Sequence, residues 1–91
     1  MFQWDDANRN HVPPERGISP SDCEEIFADP RSMTREAHTR GGERRWSTVG
    51  ATSGGRIIVV IDTLREGLVR VVTAYPASGR PEERAYRRQS W

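Results

Sequence analysis

The chain has 91 residues, 34% of them hydrophobic and 30% charged, and a formal net charge of +1. That length allows one domain, 1–91, with a thin core that buries roughly 60–65% of the unfolded surface. The lone Cys23 excludes an internal disulfide or a cysteine metal cluster, and no apolar run approaches the ~18 residues of a membrane span. With no signal-peptide pattern at the acidic start, the expected setting is reduced and cytoplasmic.

Phe2-Gln3-Trp4 reads as a short apolar edge strand or a staple onto the core. Asp5 or Asp6 can cap a short helix running through His11, which Pro13-Pro14 would end because neither proline can donate to a helix ladder. Ser19, Pro20 and Asp22 form a strong helix start, a capping box with proline at the first helical position. Cys23, Ile26 and Phe27 then share one apolar stripe, and the helix stops at Ala28-Asp29-Pro30. Arg31 to Gly42 shows no period and reads as an exposed loop. Glu43 to Gly50 reads as a strand holding Trp46 and Val49, and Ala51 to Gly55 as a turn.

Two β-branched runs follow, Arg56 to Thr63 and Leu68 to Tyr75, separated by Leu64-Arg65-Glu66-Gly67. This is the pattern of a β-hairpin. Unbroken apolarity over Ile57–Ile61 predicts a central strand covered on both faces. Strict alternation in the second run predicts Val69, Val71, Thr73 and Tyr75 on one face, with Leu68, Arg70, Val72 and Ala74 on the other. Pro81 opens a last helix whose Glu82 and Glu83 precede Arg87 and Arg88, which suits the helix dipole; Glu83 and Arg87 form a favourable i,i+4 pair. The plan is α+β: an antiparallel meander of three strands, two helices before it and one after, with the helices covering one face.

Charge is divided along the chain. Residues 1–39 hold four arginines against eight acids, and residues 40–91 hold ten arginines against five acids. A basic back half whose cations are all arginine suits a polyanion-facing surface, since the guanidinium fork matches phosphate.

Phe2-x-Trp4-Asp5, Gly17-Ile18-Ser19 and Ile26-Phe27-Ala28-Asp29-Pro30 resemble the BrnT family. So do Glu43-x-Arg45-Trp46 through Gly50, Val59-Val60, Val69-Arg70-Val71-Val72-Thr73-Ala74, and Glu82 four residues before Tyr86. The resemblance implies a RelE-like fold and a toxin of a type II toxin–antitoxin system. Such a protein would be an endoribonuclease, a hydrolase by class, that inhibits translation. It would be neutralised by a BrnA-like antitoxin of ribbon-helix-helix type, in a heterotetramer. Arg16 stands where the family places histidine, and Thr73-Ala74-Tyr75 where it places Ser-Ala-Arg. These departures also fit an inactive relative that binds RNA or an antitoxin without cutting; a purely structural partner that oligomerises through its sheet is the third reading.

Metal-free RNA cleavage uses the RNA 2′-hydroxyl as nucleophile. The protein must supply a base, an acid and cations for the charged phosphate. Arg45, Arg70 and Arg84 are the candidate cations, Tyr75 and Tyr86 the candidates for stacking or proton transfer, and Glu43 the candidate base. Arg44, Arg56, Arg87 and Arg88 are candidate RNA contacts. This chemistry requires no cofactor. His11 and His38 have no partner at metal-ligand spacing, and Cys23 belongs to the apolar helix stripe.

Overall fold

The predicted central strand is β4 (Ile57–Arg65), the middle of a five-stranded mixed sheet. The computed structural model describes residues 2–9, 17–39 and 41–91; His11, Pro13-Pro14 and Arg16, on which expectations were stated above, lie outside them. The sheet also contains β1 (Phe2–Gln3), β2 (Met33–Glu36), β3 (Trp46–Ala51) and β5 (Leu68–Pro76), in the order β1-β5-β4-β3-β2. Strands β2 to β5 pair antiparallel in sequence order, and β1 joins the edge parallel to β5. The helices are α1 (Asp6–Arg9), α2 (Pro20–Ala28) and α3 (Pro81–Arg88).

The helix starts follow their local chemistry. Ser19 Oγ accepts from the Asp22 N–H at 3.1 Å, and the Asp22 carboxylate accepts from the Ser19 N–H at 3.0 Å. This is the expected capping box. At α1, Asp5 Oδ1 accepts from the Asn8 N–H at 3.1 Å while Asn8 Oδ1 accepts from the Asp5 N–H at 2.8 Å. The β4–β5 turn is tighter than the expected four residues. Glu66 and Gly67 both have positive φ, 53° and 77°, as a two-residue type I′ turn requires.

Three expectations are corrected. The segment read as a loop over 31–42 contains β2, which pairs with β3 from Met33↔Val49 to Glu36↔Trp46. Its side chains are mostly exposed, so backbone pairing places it rather than an apolar pattern. The helices, moreover, do not share one face. Cys23 and Ile26 of α2 pack with Ile58, Val60, Val71 and Ala74, whereas Tyr86 of α3 packs with Val49, Val59 and Ala77. A strand apolar on both sides needs cover on both sides, and α2 and α3 provide it.

The third correction bears on function. The β4–β5 pairing runs to Ile61↔Thr73 and resumes at Asp62↔Val71, so Val72 is an extra residue, a β-bulge. The bulge resets the alternation of β5. Val71 joins Ala74 on the α2 face, while Arg70, opposite Thr63, joins Thr73 and Tyr75 on the α3 face. Arg70 and Tyr75, expected on opposite faces, share one.

Candidate functional site

The α3 face of the sheet is built in rows. Met33, Val49, Val59 and Tyr75 make the first, and Arg35, Ser47, Ile61 and Thr73 the second. Thr63, Arg70 and Gln3 continue into a third. Helix α3 packs on the first row through Tyr86. The other two rows carry two clefts.

The smaller cleft, about 140 Å³, brings Glu43, Arg45 and Arg70 together with Arg65, Thr63 and Asn8. Three of the expected catalytic residues thus meet. Arg70 is only 11% exposed at its side chain. Its guanidinium donates to both carboxylate oxygens of Asp5, at 2.8 and 3.2 Å, and to Gln3 Oε1 at 3.3 Å. These hydrogen bonds hold the Asp5 carboxyl down at about 2 and raise the Arg70 pKa further. Arg65, which the sequence reading did not single out, donates Nε to Glu43 Oε2 at 3.3 Å. Arg45 is half-buried, and its Nε is buried with no hydrogen-bond partner among the described residues. A buried guanidinium N–H without a partner is costly, and the rest of the Arg45 side chain lines the cleft.

The larger cleft, about 480 Å³, is lined by Arg35, Glu36, Ala37, His38, Ser47, Ile61, Tyr75 and Glu82. The Tyr75 hydroxyl donates to Glu82 Oε2 across 3.4 Å, and the Arg80 guanidinium lies over the Tyr75 ring, 4.3 Å from its centroid. Desolvation first, then the negative charge of Glu82, raises the Tyr75 pKa, so the phenol keeps its proton at neutral pH. Arg35 stacks on Trp91 at 3.9 Å. The Trp91 position follows from the end of α3. Gln89 takes a left-handed conformation and its Nε2 donates to the carbonyls of Tyr86 and Arg31, tying the tail to the segment before β2.

The remaining candidates lie elsewhere. Tyr86 is buried and donates to Asp29 Oδ2 at 2.5 Å, a contact that joins α3 to the end of α2. Arg84 is exposed on α3. Arg44 bonds Glu36 at 2.5 Å and covers the Trp46 ring, on the α2 side, since Trp46 pairs with Asp62 in a row with Val71. Arg56 donates to the Gly17 carbonyl. Arg87 forms the expected pair with Glu83 at 3.5 Å, and Arg88 Nε donates to the Ser90 carbonyl. Cys23 is buried, and desolvation pushes its thiol up to about 12, leaving it inert.

A further cavity of about 320 Å³ lies between the end of α2 and the β3–β4 turn. Its carboxylates are already engaged: Glu25 Oε1 accepts from the Ser53 N–H and hydroxyl, and Asp29 Oδ2 from the Ala51 N–H. No cation lines it, so it does not suit a polyanion. No helix is long and apolar enough to cross a membrane among the described residues.

A search of curated proteins returns no match. The model of one family, described as the BrnT ribonuclease toxin of type II toxin–antitoxin systems, matches residues 4–80. That span includes both clefts except Glu82. The chain therefore belongs to the BrnT family of type II toxin–antitoxin ribonuclease toxins.

Proposed function

We propose that this chain is a metal-independent endoribonuclease of RelE-like fold that cuts RNA on the α3 face of its sheet and thereby inhibits translation in the cytoplasm. The observation that carries the reading is the cleft in which Glu43 and Arg45 meet Arg65 and Arg70 on a face that α3 leaves open. Glu43, paired with Arg65 Nε at 3.3 Å, takes the proton of the RNA 2′-hydroxyl. The 2′-oxygen attacks the adjacent phosphorus, and the bond from phosphorus to the 5′-oxygen breaks. That oxygen takes its proton from solvent at the open side. Arg45, half-buried at the cleft, neutralises the charge that builds on the non-bridging oxygens. Arg70, clamped by Asp5 and Gln3, holds the wall of the cleft. The products are a 2′,3′-cyclic phosphate and a 5′-hydroxyl end.

Family membership implies an antitoxin partner. A BrnA-like ribbon-helix-helix protein, supplying the dimer of a heterotetramer, fits that role. Expression of the chain alone is expected to arrest growth, and co-expression of the neighbouring antitoxin gene to restore it. In vitro, cleavage with those termini should persist in EDTA. Glu43→Gln should slow it by at least roughly 100-fold with an unchanged melting temperature. Normal growth with intact RNA at good soluble yield would refute the reading, and loss of cleavage in EDTA would refute its metal independence.

A further inference from the structure

We infer that the larger cleft is a nucleobase pocket selective for guanine, with Arg35 as its stacking platform and Glu82 as its edge reader. The inference rests on the reading of this face as an RNA site and goes beyond it by naming the base.

Two features of the cleft point to a flat, polar ring. The first is the Arg35 guanidinium, whose centre lies 3.9 Å from the Trp91 centroid. At that distance the cation lies over the face of the indole. A guanidinium pinned over a ring on one side leaves its other side to a second flat group, and bases stack on arginine planes as they do on aromatic rings. The second is Glu82, half-buried on the opposite lip with its carboxylate toward Tyr75. The hydroxyl contact of 3.4 Å is long for an O–H···O bond and yields to a stronger donor. The volume, about 480 Å³, falls in the ordinary range for small-molecule sites, roughly 300–1,000 Å³.

The edge chemistry selects the base. A carboxylate only accepts, and its two oxygens are best filled by two adjacent parallel N–H groups. On the Watson–Crick edge, only guanine offers that pair, N1–H beside the N2 amino group. Adenine and cytosine set an acceptor nitrogen beside their amino group, and uracil flanks its one N–H with two carbonyls. Each would bring a lone pair against the carboxylate. Ile61, a second-row residue that lines this cleft, lies one same-face step, roughly 7 Å, from Thr63 in the Thr63–Arg70 row that lines the smaller cleft. A base held here therefore sits beside the reacting phosphate.

The test uses 2′-O-methylated pentaribonucleotides AAXAA, which cannot be cut, titrated by fluorescence anisotropy with X as guanine, inosine, adenine, cytosine or uracil. Guanine should bind roughly tenfold or more tighter than adenine, cytosine or uracil. Inosine, lacking the N2 amino group, should fall between. Glu82→Gln should bring all five within about twofold, whereas Arg35→Ala should weaken all of them and keep their order. Equal binding by all five, or a guanine preference that survives Glu82→Gln, would overturn the pocket. Cleavage of ordinary RNA at every base alike would overturn it while leaving the ribonuclease intact. Guanine-selective binding by a chain that cuts nothing would support the pocket and refute the ribonuclease.

Discussion

Asp62 is 4% exposed, with Oδ1 buried and lacking a hydrogen-bond partner among the described residues. Burial pushes its carboxyl up to about 7, against an ordinary value of 3.8. The folded state thus holds this proton more tightly than the unfolded chain does. The stability this contributes is complete below about pH 4 and is lost as the pH rises through 7. Asp29 acts in the opposite sense. Desolvation would raise it, but bonds from the Tyr86 hydroxyl and the N–H groups of Arg31 and Ala51 outweigh that and lower it. Its contribution is present above about pH 4 and is lost in stronger acid. Urea denaturation should therefore find maximum stability near pH 4 to 5, with a decline as the pH rises to about 7 and little change beyond it. Asp62→Asn should flatten that decline and exceed the parent at pH 8 by on the order of 2 kcal/mol. A parent chain as stable at pH 8 as at pH 5 would refute this. Asp62 could not be read as buried from the sequence, because an acid after an apolar run looks like a strand end; the strand instead continues to Arg65.

The Asp29 contacts also decide how the elements hold together. Its Oδ2 takes the Ala51 N–H at 2.8 Å and the Tyr86 hydroxyl at 2.5 Å, linking the end of α2, the end of β3 and α3 across the sheet edge. Tyr86→Phe should cost about 1–2 kcal/mol, and Asp29→Ala about 3 kcal/mol because it also leaves backbone donors unpaired. A double-mutant cycle in urea should show a coupling of at least about 1 kcal/mol between them, and strict additivity would show that the strut carries nothing. Neither substitution touches the clefts, so RNA binding should persist wherever the chain is folded. The elements that were legible in the sequence carry strong local signals: the Ser19–Asp22 box for α2, and the β-branched runs for β4 and β5. Those that were not legible are held by long-range pairing. Strand β2 is an exposed polar edge, and the bulge at Val72 has no glycine or proline to mark it. That bulge mattered most, because it alone moves Arg70 onto the face of Tyr75. The Arg45–Arg70–Glu43 group was legible as residue types and not as one cleft, and Arg35 and Glu82 were hidden because their cleft spans β2 and α3.

At the scale of the whole molecule, the charge division along the chain becomes a division between faces. The α2 helix carries Asp22, Glu24 and Glu25, whereas the α3 face gathers Arg35 and Arg70 on its strands, Arg45 just before β3 and Arg65 at the end of β4, beside the carboxylates of Asp5, Glu43 and Glu82. A polyanion bound through the proposed site would meet those arginines, and the net charge of +1 says little about where it would bind. Arg44 and Arg45 separate the two ideas. They are neighbours in sequence and carry the same charge, yet Arg44 covers Trp46 on the α2 side while Arg45 lines the smaller cleft. If attraction to RNA were a matter of total charge, Arg44→Ala and Arg45→Ala would weaken binding equally. If the α3 face is the site, Arg45→Ala should weaken RNA binding by roughly tenfold or more and reduce the slope of log affinity against log salt by about one, while Arg44→Ala leaves both within about twofold. The Arg44–Glu36 pair is exposed on both sides, so its loss should cost less than about 1 kcal/mol, and Glu36→Gln beside Arg44→Ala removes the carboxylate charge left unpaired at the larger cleft. Titration of a non-cleavable RNA at several salt concentrations decides it: equal losses in the two variants would dissolve the distinction between the faces, and a larger loss at Arg44 would move the site to the side of α2.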